Sequence, residues 1–308
     1  MRRLVAAAAL GALALGSAGC GASDGTDQAP EQQSTRTVQH AMGTTEVPHK
    51  PERVVVLDTG ELDAVTSLGI TPVGAVRAPV DSGLLKYLEK DAAGIEMVGT
   101  ISEPNLEKIA SLQPDLILSS KLRHEDLYDE LSAIAPTVFA ETVGKVWKEN
   151  FLLDARALGM EDKARSMLDA YEQRARKLGE RIGNLGDISV SLVRFMPDQI
   201  RLYAKGSFIG TVLDDVGFAR PPVQRADETF VEVSAEQLAK ADGDVIFTSS
   251  YGPAGETDQP AVIAGPLWKT LEAVQAGKVQ TVSDDHWMLG IGIGAAELVL
   301  DDLEKYFA

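Results

Sequence analysis

Few residues in this chain can carry chemistry. One cysteine and four histidines cannot build a disulfide framework or a structural zinc site. No Gly-x-Ser-x-Gly pattern follows a predicted strand, as a nucleophile elbow requires. The alternating glycines at Gly290-Ile291-Gly292-Ile293-Gly294 come too late in the chain to be followed by the acidic residue of a dinucleotide fold. What remains are arginines and aromatic rings near the ends of predicted strands. Arg77 follows TPVGAV, Arg123 follows DLILSS, and Arg194 lies within SLVRF. Strand alternation puts Val193 and Phe195 on one face and Leu192 and Arg194 on the other, so a lone charge there needs a reason. Trp147, Tyr203, Phe208 and Trp287 are the aromatic candidates. Guanidinium groups donate forked hydrogen bonds to oxygens, and aromatic faces cover carbon. These are binding chemistries, and nothing positive supports catalysis.

Other readings stand beside these. Arg77 also reads as a solvated surface arginine, Trp147 as a staple for a helix, and Phe208 as core beneath its loop. His124 and His286 lack a carboxylate cluster at ligand spacing and read as structural or exposed; no metal site of the protein's own is expected.

The elements that must position these residues follow from composition and pattern. With 308 residues, 44% hydrophobic and 24% charged, the chain suits one large or two medium globular domains. Its 46 acidic against 29 basic residues give a net charge of −17. That excludes ordinary nucleic-acid binding and adhesion of the folded surface to anionic membrane. Arg2 and Arg3 precede the apolar run Leu4 to Leu15, then small residues and Cys20, so 1–19 reads as an export signal. The cysteine after Ala18-Gly19 resembles a bacterial lipobox, which implies lipidation at Cys20, although Ser17 replaces the usual leucine or valine. Residues 20–39 are rich in Gly, Ser, Asp, Gln and Thr and read as a flexible stalk.

Beyond the stalk, β-branched runs alternate with helical patterns, as in βαβ units. The segment NLEKIASLQPDLILSS (Asn105 to Ser120) resembles SAEQLAKADGDVIFTS (Ser234 to Ser249) at a constant offset of 129, with Glu107 on Glu236 and Asp115 on Asp244. We therefore expect two similar α/β lobes, 40–141 and 187–308, with parallel-rich sheets. The intervening 142–186 carries a helical stripe through Ala164, Met167, Leu168, Tyr171, Ala175, Leu178 and Ile182. It reads as one stiff bridging helix of ~30 Å, with a ligand cleft between the lobes. In such sheets ligands lie beyond the carboxyl ends of the strands.

Five blocks resemble the substrate-binding proteins of ABC importers for iron–siderophores and cobalamin: SEPNLEKIASLQPDLIL, KLRHEDLYDELSAIAPTVF, WKENF, SLVRFMPDQIRLYAKGSFIGTVLDDVGFARP and DDHWMLGIGIGAAELVLDDL. The resemblance implies capture of a ferric siderophore of hydroxamate or citrate-hydroxamate type, with the iron held by the siderophore and no cofactor. It carries ligand roles onto Arg123, Arg194 and Trp287, and implies that Glu107 and Glu236 meet the permease subunits. The protein would then be a monomer at the outer face of a bacterial cell membrane, held only by the Cys20 lipid. Cobalamin or haem binding, or a secreted cell-envelope α/β enzyme, are the alternatives. Ile101 stands where the ferrichrome-type binder has an arginine, and Arg123 replaces a tyrosine. These departures move the expected anion contact to Arg123 and suit a carboxylate-bearing or linear hydroxamate ligand.

Overall fold

The structure, a computed structural model, describes residues 34–78, 84–90 and 94–307. The expected signal peptide, Cys20 and most of the expected stalk lie outside them. Strands β1 (Thr35–His40) and β2 (Gly43–Pro48) form an antiparallel hairpin. This corrects the stalk boundary, because β1 falls within 20–39. One valine per strand, Val38 and Val47, is wholly buried, and Thr45 Oγ1 donates to the Thr137 carbonyl at 3.0 Å. A single buried valine in a polar strand is too little signal for a composition-based reading to detect.

The N-terminal lobe is a five-stranded sheet of β3 (Val54–Val56), β4 (Gly74–Arg77), β5 (Glu96–Thr100), β6 (Leu116–Ser120) and β7 (Thr137–Ala140). Its order is β5-β4-β3-β6-β7, and every pairing is parallel. The central strands β3 and β6 are buried along their length, as a sheet covered on both faces requires. The C-terminal lobe uses β8 (Val190–Phe195), β9 (Ile200–Tyr203), β10 (Phe230–Val233), β11 (Val245–Ser250) and β12 (Val279–Thr281), in the order β10-β9-β8-β11-β12. Here β8, β11 and β12 are parallel, whereas β9 runs antiparallel to both β8 and β10. The cause is local. A tight turn, with Met196 N–H donating to the Gln199 carbonyl, makes a hairpin and leaves no length for a crossover.

The internal repeat has a structural counterpart. Asp115 accepts hydrogen bonds from the backbone N–H groups of Glu52 and Arg53, leading into β3. Asp244, its equivalent, accepts one from Ser189 N–H, leading into β8. Each aspartate thus fixes the register of its own lobe's central pair. The two copies differ in the preceding helix, which is α-helical over Leu106–Ser111 and a 3-10 helix over Ala235–Ala241.

Between the lobes, the helix Trp147–Leu158 ends at Gly159 in the left-handed region (φ 73°), and the chain re-enters a helix at Glu161–Ile182. A side chain at Gly159 would strike the Arg36 guanidinium as well as strain the backbone. The second helix has 22 residues, or ~33 Å, and buries Ala164, Leu168, Tyr171, Ala175 and Leu178. On its outer face Arg174 pairs with Glu297, Asp301 and Glu304 of the C-terminal helix Ile293–Phe307. The glycine run opens that helix, and the reason lies far away in sequence. The buried Asp63 carboxylate accepts from Gly294 N–H at 2.8 Å and Ala295 N–H at 2.9 Å, and a Cβ on Gly292 would land inside that carboxyl group. Among the described residues no helix is long and apolar enough to cross a membrane.

Candidate ligand-binding cleft

All five N-lobe strands deliver a residue from their carboxyl ends to one cleft: Asp58 after β3, Ala78 after β4, Ile101 after β5, Arg123 after β6 and Gly144 after β7. This is where open α/β sheets place ligands. The other lobe contributes Arg194, Arg201, Tyr203, Phe230 and Tyr251, and the cavity measures about 380 Å³.

Arg123 sits in the short helix Lys121–His124, directly after β6. Its Nε donates to Asp58 Oδ2 at 2.7 Å. Asp58 is itself buried and also caps the helix Thr59–Ser67, its Oδ1 accepting from Thr59 N–H at 2.7 Å. Burial works against the Arg123 charge, but the Asp58 carboxylate, helped by Glu61, outweighs it and holds the guanidinium above its ordinary range.

Arg194 is buried. Its Nε donates to Asp284 Oδ1 and its Nη1 to the Tyr203 hydroxyl, both at 2.7 Å, and Nη2 pairs with Asp284 Oδ2. The guanidinium lies 4.8 Å from the Tyr251 ring centre and 5.7 Å from that of Tyr203. Burial again opposes the charge, and Tyr203 and Asp284 together raise it. The lone charge in an apolar strand is therefore explained by a bidentate carboxylate and an aromatic enclosure.

The remaining candidates divide. Tyr203 and Phe208 line the cleft, and Phe208 also packs edge-on against Trp147 at 5.7 Å. Trp147 is not brought to the cleft. It is wholly buried, with Nε1 donating to Thr211 Oγ1 at 2.9 Å and its ring edge-on to Tyr171, so it joins the bridge to the C-terminal lobe. Its place on the apolar face of an amphipathic helix decides this. Trp287 backs the cleft wall from within: it is wholly buried, donates Nε1 to Asp302 Oδ2 at 3.0 Å and packs 4.8 Å from Phe247. Arg77, the last residue of β4, is not among the cleft-lining residues. His124 is buried with Nδ1 on Ser119 Oγ and Nε2 on the Ile101 carbonyl, and His286 Nε2 meets Asp302. Glu107 and Glu236 are exposed in the first turns of equivalent helices and are not among the cleft-lining residues.

Sequence reasoning missed the counterions Asp58 and Asp284, and the cleft residues Arg201 and Tyr251. It also missed two buried acids behind the floor. Glu61 and Asp154 line a small void shared with Gly144 and Ile291. Burial, then the charges of Asp58 and Asp154, push Glu61 well above the carboxylate range, and its Oε2 has no partner among the described residues. Burial pushes Asp154 up to about 8. A charged residue at a helical core position is the one signal that could have exposed them.

A two-lobed fold with a helical bridge and a charged, aromatic cleft at the strand ends suits a ligand-capture protein. The chain belongs to the periplasmic binding protein family, whose pattern matches residues 54–285. It is 40% identical over 301 residues to the probable siderophore-binding lipoprotein YfiY of Bacillus subtilis, covering 94% of this chain and 93% of that protein. It is 33% identical over 292 residues to the Fe(3+)-citrate-binding protein YfmC of the same organism, covering 93% and 91%. Staphylococcus aureus SirA, solved in complex with staphyloferrin B, superposes with a TM-score of 0.81 at 33% identity, over 88% of this chain and 98% of that one.

Proposed function

We propose that this protein captures a ferric siderophore between its lobes outside the cytoplasm and delivers it to an ABC permease. It is a binding protein, not an enzyme. The observation that carries the reading is the convergence of Arg123 from one lobe and Arg194 and Arg201 from the other on a single cleft walled by Tyr203, Phe230 and Tyr251. Guanidinium groups suit carboxylate oxygens, so the ligand is an anionic, carboxylate-bearing ferric complex. The relatives named for siderophore and ferric citrate binding support that class. Haem suits the cleft less well, because both ring nitrogens of His124 are already engaged.

The protein works as a monomer tethered through Cys20, and the exposed, equivalent Glu107 and Glu236 meet the two permease subunits. Charge reversal of both to lysine leaves ligand affinity unchanged and lowers cellular iron uptake, because like charges then oppose docking. Normal uptake at normal protein level would reduce them to helix-cap residues. The ligand itself is tested by mass spectrometry of what co-purifies from iron-starved producing cells. An iron complex bearing carboxylates is expected; co-purified cobalamin or haem would overturn the proposal.

A further inference from the structure

Glu107 and Glu236 are equivalent, but their surroundings are not. Leu106, beside Glu107, is partly buried and packs on the core of its own lobe. At the same offset of 129 the C-terminal lobe has Ala235, which is exposed and lines a pocket of about 460 Å³. The short side chain leaves open what a leucine would fill. This pocket shares no residue with the ligand cleft. Ile200 lines the pocket and its neighbour Arg201 the cleft, so strand alternation sets the two on opposite faces of the sheet. The pocket floor is the buried apolar core around Val233, Leu238, Val262 and Trp268. Its mouth lies at the edge of the lobe where β8 and β10 end. Asp198 is in the turn that leaves β8, and Ala235 opens the 3-10 helix that carries Glu236 after β10.

Two further features describe what fits there. Leu267 on the rim is 45% exposed, and Ile263 on the neighbouring helix is 37% exposed. Among the described residues the other large apolar side chain so exposed is Leu122, which lines the ligand cleft. A site built for a small molecule turns its apolar groups inward, whereas apolar side chains standing beside an open pocket suit a protein surface. The charged residues of the lining are Asp198 and Asp258, with Glu236 adjoining and no cation among them. The complementary partner is apolar at its centre and basic around it.

We infer that this pocket is a socket on the C-terminal lobe for an apolar side chain of the ABC permease, flanked there by basic residues. This rests on the permease reading of Glu107 and Glu236 and deepens it. Carboxylates at two equivalent points steer the approach, but alone they favour two orientations half a turn apart. An apolar anchor in one lobe prolongs the encounter and selects one of the two.

The test is Ala235→Leu, which puts the residue of the N-terminal lobe into the socket, with Ala235→Ser as the control that leaves it open. Cells of the producing organism lacking this chain are complemented with each form. They are given their own secreted siderophore loaded with radioactive iron. Ala235→Leu should lower the initial uptake rate about tenfold. The purified variant should keep wild-type affinity for that ferric complex and an undiminished thermal midpoint, and Ala235→Ser should take up iron as wild type does. Normal uptake by Ala235→Leu, alongside impaired uptake by Glu107→Lys with Glu236→Lys, would overturn the socket and leave the docking reading standing. Normal uptake by that double variant would overturn both. A matching loss of uptake in Ala235→Ser, or of ligand affinity in Ala235→Leu, would overturn the socket. So would a wild-type dimer that Ala235→Leu dissociates in sedimentation equilibrium, or an apolar small molecule that co-purifies with wild type and not with the variant.

Discussion

The two lobes hold their arginines in opposite ways. In the N-terminal lobe the carboxylate is deep and the arginine faces out: Asp58 is fully covered, while the Arg123 side chain is 36% exposed and bound through Nε. In the C-terminal lobe the arginine is deep, with a side chain 5% exposed and Nε, Nη1 and Nη2 all engaged. A guanidinium with its terminal nitrogens turned to the cleft can grip a ligand. One saturated by protein groups is a strut that sets Tyr203, Tyr251 and Asp284 around it. The lobe whose buried arginine became a strut also carries a second cleft arginine, Arg201.

The largest expected effect breaks the strut. Arg194→Ala leaves Asp284 and the Tyr203 hydroxyl without their partner, and losing one side of a buried pair costs about 3–5 kcal/mol. Denaturant unfolding should show it; a loss below ~1 kcal/mol would mean that Arg194 is as dispensable to folding as a surface group. Arg123→Ala should behave in the opposite sense. Its stability cost is smaller because the side chain is partly solvated, while affinity for a carboxylate-bearing ferric complex falls more than tenfold, ~1.5–3 kcal/mol. Equal stability losses in the two variants would erase the distinction between strut and grip.

Behind the cleft, Gly292→Ala forces a Cβ into the Asp63 carboxyl that holds the first turn of the C-terminal helix. A cost of ~1–3 kcal/mol is expected, as for other overpacked sites. An unchanged thermal midpoint would show that this anchor is slack.

A pH series sharpens the contrast between paired and unpaired charge. Asp154 keeps its proton in the folded state up to about 8, whereas in the unfolded chain it ionises near the ordinary aspartate value of ~3.9. Between those values the folded state binds the extra proton, so stability falls as pH rises through the window and levels off above it. Asp154→Asn should remove part of that slope and stabilise the protein at pH 8. A steeper slope in the variant would contradict the assignment. The smallest effect is in shape. Lobes joined by one packed helix rotate little, because bending it breaks its hydrogen-bond ladder, so small-angle scattering should be nearly unchanged on ligand addition. A contraction of several ångströms would favour loop hinges instead.

Much of this was legible because it is local. The buried strand runs, the stripe from Ala164 to Leu178 and the repeated Asp115 and Asp244 are short-range patterns, and a lone arginine inside SLVRF signals a special site. The illegible part is long-range. Asp63 meets the glycine run some 230 positions away, so those glycines pointed to a helix start but not to its anchor. Asp58 and Asp284 pair with arginines 65 and 90 positions distant, and no periodicity encodes that. Trp147 reads both ways in sequence because an amphipathic helix can turn an aromatic side chain either to core or to cleft. Arg201 was passed over in IRLY because the antiparallel hairpin that aims it at the cleft was not anticipated.

Under the proposed function, arginines from both lobes grip an anionic ferric complex. Calorimetric titration of ferric staphyloferrin B into wild type and into the charge-balanced double variant Arg123→Gln with Asp58→Asn tests it most directly. The double variant removes the cation without leaving a buried carboxylate unpaired, so folding is preserved. Saturable one-to-one binding by wild type is expected, with at least tenfold weaker binding by the variant at an equal thermal midpoint. Equal affinity in both proteins would contradict it.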